Sequence, residues 1–104
     1  MAEVDSRRLQ DRFAKIDVSQ IVDVEERRPA RFGGEVRSQH RRSADGRPLL
    51  RVTVTDGTGT AVAVFTGRSR ISGLEVGRIV LLEGVARRDE GQLIVMNPAY
   101  TLLP

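Results

Sequence analysis

The stretch LLRVTVTDGTGTAVAVF, Leu49 to Phe65, decides the fold. Leu50, Val52 and Val54 alternate with Leu49, Arg51, Thr53 and Thr55, so Leu49 to Thr55 reads as a half-buried strand rich in β-branched residues. Asp56, Gly57 and Gly59 follow at once and supply residues that tolerate the positive φ of a tight hairpin. Thr60 to Thr66 is then the returning strand. If the alternation holds, Val62 and Val64 face inward while Ala61, Ala63 and Phe65 face out.

Upstream, Ala30 to Gln39 also alternates, with Phe32, Gly34, Val36 and Ser38 on one face and Arg31, Gly33, Glu35, Arg37 and Gln39 on the other. Two adjacent glycines weaken a flat strand but suit one that must bend or bulge to close a barrel, so Gly33 and Gly34 favour closure. His40 to Pro48 is polar and arginine-rich and contains Asp45 and Gly46, which reads as an exposed loop with His40 a solvated member. Nearer the N-terminus, Leu9, Phe13 and Ile16 recur at i, i+4 and i+7 and mark an amphipathic helix. Its narrow apolar stripe suits either the bottom of the barrel or another chain. Residues 1–26 therefore form a helix and lead-in, and residues 27–104 the barrel of a single domain.

Downstream, Gly67 to Gly77 loses the period of two, and Ile71, Leu74 and Val76 fit a short helix or turn that plugs the barrel end. Arg78 to Arg88 is apolar on both faces through Ile79, Val80, Leu81 and Leu82, as expected of a strand covered by that preceding helix, and Gly84 suggests a bulge. Asp89, Glu90 and Gly91 form a turn, and Leu93 to Met96 the fifth strand. Asn97 and Pro98 end it, after which Tyr100, Leu102 and Leu103 supply an apolar cap.

A chain of 104 residues has the size of one domain and one core. No apolar run approaches the ~20 residues of a membrane span. The N-terminal MAEVDSRRLQDRF has neither the apolar stretch nor the cleavage site of a secretory signal, and the chain has no cysteine, so a cytoplasmic location is expected. Charge is unevenly spread: Met1 to Glu26 carries four basic and seven acidic residues, Arg27 to Arg51 eight and two, and Val52 to Pro104 five of each. A localised basic segment is the footprint of a surface that meets phosphates. All but one of the seventeen basic residues are arginine, a bias that GC-rich coding also produces.

Five strands, a glycine-bent first strand, a DGTG hairpin and a helix between strands three and four together describe an OB-fold, an all-β, five-stranded Greek-key barrel, here preceded by the amphipathic helix. Leu49 to Phe65, then GLEVGRIVLLEGVARR (Gly73 to Arg88), then NPAY (Asn97 to Tyr100) resembles the wedge OB domain of RecG-type branch-migrating helicases. The sequence is also similar to small stand-alone OB-fold nucleic-acid-binding proteins of high-GC bacteria. That family pattern usually has histidine where Asn97 stands, and more aromatics on its binding strands. The chain contains no GxxxxGK[ST] phosphate loop, so no ATP-driven motor is expected.

The resemblance implies a ligand crossing strands two and three, flanked by the loops that join strands one to two and four to five. Arg51 and Thr53 on strand two, Arg31 and Arg37 on strand one, Arg41, Arg42 and Arg47 in the first loop, and Arg87 and Arg88 by the second then form a phosphate track. Guanidinium groups suit it because they grip phosphate through two hydrogen bonds and keep their charge. Phe65 is the candidate stacking platform, with core burial the competing role. Glu35 opposes the track unless it pairs with Arg31 or Arg37. Residues around Asp56 resemble a phosphate cradle, which a hairpin explains equally well. One histidine and no cysteine leave no zinc site or catalytic triad in view, so neither a cofactor nor catalysis is expected. The expected function is sequence-tolerant binding of single-stranded or junction DNA, or RNA. The alternative is a protein-interaction or homo-oligomerisation module working through the N-terminal helix or an open strand edge, with the arginines serving solubility.

Overall fold

The two strands read from Leu49 to Phe65 are present as β2 (Arg47–Thr55) and β3 (Thr60–Thr66) in the computed structural model, which describes residues 2–104, with side chains from residue 4 onward. They are joined by β1 (Pro29–Ala44), β4 (Ile79–Asp89), β5 (Gln92–Met96) and β6 (Ala99–Leu102) in one sheet. The sheet closes on itself in the order β1, β2, β3, β5, β4 and back to β1, with β6 added to the edge of β4. All neighbours are antiparallel except β3 and β5. Closure depends on the length of β1: residues 29–35 pair with β4, and residues 35–44 pair with β2.

The interior is filled by Phe32 and Val36 of β1, Leu50, Val52 and Val54 of β2, Val80 and Leu82 of β4, and Leu93 and Val95 of β5. Strand β3 contributes Ala61, Ala63 and Phe65 to the same cluster, the reverse of the expected facing. The register explains the reversal, because Ala61, Ala63 and Phe65 stand opposite Val54, Val52 and Leu50. Val62 and Val64 instead form a separate cluster with Ile94 on the outside of the ring, itself nearly solvent-free. With both faces of β3 buried, alternation of apolar residues carried no information about direction. Ile21 and Val24 close one end of the core and Ile71 and Leu74 the other.

Ile71 and Leu74 thus plug the ring as expected, but residues 67–78 do so as successive turns and not as a helix. The outer side of β4 is covered from elsewhere. The N-terminal helix α1 (Ala2–Ala14) lays Leu9 and Phe13 against Leu81, with Ile16, Val18 and Ile79 at the margin. Of the two seats open to the apolar stripe of α1, it takes the protein's own sheet: Leu9 is 1% and Phe13 7% exposed. Gly33 makes this docking possible, since a Cβ there would lie 2.6 Å from the Phe13 ring and 2.9 Å from Leu81. Gly34 is likewise a close-approach residue, where a Cβ would meet Val54 at 2.8 Å. The glycine pair thus serves packing, whereas the β-bulge of this strand falls at Arg37. Gly84 carries no bulge, and the register runs through it unbroken.

A buried carboxylate ties the lead-in to the β2–β3 hairpin. Asp56, 3% exposed, accepts hydrogen bonds from the backbone N–H of Ile21 (2.9 Å), Thr58 (2.9 Å) and Gly59 (3.3 Å) and from the Thr58 hydroxyl (2.6 Å). The phosphate-cradle reading of this loop fails for that reason: the donors an anion would need are already turned onto Asp56. No helix among the described residues is long and apolar enough to cross a membrane.

Candidate nucleic-acid interface

The arrangement of charge follows from the bulge. Val36 pairs with Val54 and Ser38 with Thr53, which leaves Arg37 as an extra residue in β1. Beyond it the alternation is offset by one: Ser38 turns out and Gln39 turns in, opposite to the expected facing. Gln39 lies across from the core residue Val52 and donates its side-chain amide to the carbonyl of Leu74. His40 and Arg42 are consequently on the outer face.

Residues 40–44 are not the expected loop. They continue β1 and pair with Arg47–Arg51, so the connection is a two-residue turn, Asp45-Gly46, with φ of 52° and 76°. Both residues in the left-handed region make the type I′ geometry whose twist matches an antiparallel ribbon. Periodicity could not reveal this segment, because every side chain from His40 to Pro48 is exposed and neither face has an apolar row. A strand held by backbone pairing alone leaves no burial pattern to read.

Residues opposite one another in an antiparallel pair share a face. His40 opposite Arg51, Arg42 opposite Leu49 and Ala44 opposite Arg47 therefore place His40, Arg42, Arg47 and Arg51 on one side of the ribbon. That side runs on into the outer surface of β3, β5 and β4, where Arg51 is followed by Val64 and Met96, and Thr53 by Val62, Ile94 and Arg87. The result is an apolar floor with arginine at both margins. Arg51 and Arg87 are three strands apart, about 14 Å across the sheet. Among the described residues, no ion pair engages Arg41, Arg42, Arg47, Arg51 or Arg87, so their charge is presented to solvent.

The other predicted contacts are placed differently. Arg31 is ion-paired with its cross-strand neighbour Glu83 at 3.2 Å. Arg37 pairs with Asp5 of α1 at 2.5 Å and with Glu35 at 3.4 Å, and Arg8 pairs with the same two carboxylates at 2.8 and 3.0 Å. This four-residue network holds α1 to β1 and accounts for Glu35. Hydrogen bonding to Arg8 and then to Arg37 keeps the Asp5 carboxyl below its ordinary range. Arg88 turns toward the end of the ring, where its guanidinium donates to the carbonyls of Val24 (3.2 Å) and Ile21 (3.4 Å). Arg41 lies on the back of the ribbon, opposite Leu50.

Phe65 is no outward platform. It is 4% exposed, faces the core and meets Tyr100 edge-on with ring centroids 5.8 Å apart. Phe13 and Phe32 are buried too. Tyr100 belongs to β6, a strand formed where an irregular cap was expected, and Asn97 before it hydrogen-bonds Thr66 through both side-chain atoms. No protein-family model matches this chain, and comparison with curated proteins finds no significant match.

Proposed function

We propose that the protein is a non-catalytic nucleic-acid-binding module, an OB-type barrel that holds single-stranded or junction DNA with little sequence preference. The observation that carries this reading is the shared face of His40, Arg42, Arg47 and Arg51, free of acidic partners among the described residues, with a fourth unpaired arginine, Arg87, across the sheet. The closed five-strand ring, with β3 parallel to β5, agrees with the Greek-key order implied by the resemblance to RecG-type wedge domains. Affinity on this reading comes from phosphate neutralisation. Between the arginines Val62, Val64 and Ile94 are nearly solvent-free and only Met96 is exposed, so the sheet offers a base little beyond dispersion contacts. Fold alone does not assign function, and the charge pattern is what separates this reading from others.

Fluorescence anisotropy of labelled single-stranded, duplex and forked DNA tests it. About three to four neutralised phosphates give a slope of log K against log salt near −2 to −3 on single strands, and Arg51→Ala removes about 0.7 from that slope. Absence of binding at low salt overturns the proposal. A second reading, protein recognition, is favoured by Val85 and Met96, which stand 54% and 46% exposed on this outer surface.

A further inference from the structure

We infer that the β1–β2 ribbon, residues 40–48, is a groove-inserting element that takes the duplex part of a DNA junction. This rests on the nucleic-acid reading above and specifies the partner. A single strand lying across the sheet needs arginines on one face. The ribbon carries them on two: Arg42 and Arg47 on the outer face and Arg41 on the back. A two-sided distribution matches a site with two phosphate walls, which a double helix provides on either side of a groove.

Dimensions agree. Past the last β2–β3 pair, Leu49 with Thr66, two residues of each strand (Ser43–Ala44 and Arg47–Pro48) and the turn extend beyond the ring, about 7 Å of strand at the usual rise before the turn itself. The B-form major groove, about 12 Å wide and 8.5 Å deep, accepts a two-stranded ribbon, whereas the minor groove is about half as wide. The tight Asp45-Gly46 turn keeps the tip narrow, and the ribbon's only carboxylate, Asp45, lies at that tip. Burial of Phe13, Phe32 and Phe65 points the same way: among the described residues the floor between Arg51 and Arg87 is Val62, Val64, Ile94 and Met96, with no Phe, Tyr or Trp ring on which unpaired bases would stack, so backbone contacts carry most of the affinity. At the root of the ribbon the Gln39 side-chain amide donates to the Leu74 carbonyl, which ties the base of the element to the ring.

The test titrates the full chain into labelled DNA duplex, its single strand, a fork, and an RNA duplex of the same sequence. Duplex DNA and fork bind more tightly than single strand, and the RNA duplex binds weakly because its major groove is deep and narrow. Arg41→Ala weakens duplex binding about fivefold more than single-strand binding, as expected for a contact to the second wall. Dimethyl sulfate footprinting of the unmodified protein on duplex DNA shows protection of guanine N7, which lies in the major groove. Equal losses on duplex and single strand for Arg41→Ala, unprotected N7, or tighter binding to single strand each overturn groove insertion while leaving the nucleic-acid reading in place. Failure of all four probes to bind overturns both.

Discussion

His40 and Arg51 stand directly opposite each other on β1 and β2, and they share the outer face because Arg37 is an extra residue in the ladder three positions earlier. Deleting Arg37 therefore regularises β1 instead of scrambling it. The deletion variant keeps its fold and its His40–Arg51 pairing, with only a small stability loss from the exposed ion pairs it removes. Cross-strand nuclear Overhauser contacts between the two backbones check this, and their loss would show that the bulge sets the register.

Gly33→Ala tests the seat of α1. The added methyl meets the Phe13 ring and Leu81 side chain and also approaches the Val80 carbonyl at 3.0 Å, so it cannot be accommodated by one rotamer change. A destabilisation of about 2 kcal/mol is expected, read as a lower urea midpoint.

Phe65 separates core from platform. Phe65→Leu lowers stability by about 1 kcal/mol while leaving nucleic-acid affinity and its salt slope unchanged in the folded protein. A fall in affinity without a fall in stability would return Phe65 to the binding surface.

Asp56→Ala removes the acceptor for three backbone N–H groups, of which that of Ile21 is buried. About 3 kcal/mol is lost, measured by denaturant unfolding, and hydrogen exchange at Ile21 accelerates.

Asp5 gives the fold an acid-sensitive contact. Its carboxyl titrates lower in the folded chain than in the unfolded one, chiefly through Arg8 and secondly through Arg37. The contact is therefore complete above the ordinary aspartate range and is lost as pH falls through the lowered folded value. Asp5→Asn flattens that part of the stability profile. The effect weakens with salt, because the Asp5 side chain is 35% exposed.

Much of the ring was legible in the sequence, and the misses have definite causes. Leu50, Val52 and Val54 announced β2 because only one of its faces is dry. Strand β3 was placed correctly and faced wrongly, since Val62 and Val64 are as buried as Ala61 and Ala63. The outer end of β1 was hidden because no side chain there is buried, and the offset at Arg37 is invisible without its partner strand. Among the site residues, Arg42, Arg47, Arg51, Thr53 and Arg87 do come to one surface. Nothing in the local sequence around Arg37 reports that Asp5 reaches it from a helix 32 residues away. His40 was passed over because a loop residue has no defined face, and the ribbon gives it one.

The exposed ribbon also has a modular character. Beyond Leu49 its two strands are held by main-chain pairing and its turn needs only two left-handed residues, so its length is decoupled from the ring. Adding one residue to each strand changes the reach by about 3.3 Å and exchanges the two faces, while adding two restores them about 6.6 Å farther out. Reach can thus be altered in paired steps without renegotiating the core, which makes this hairpin the part of the molecule most open to variation in length.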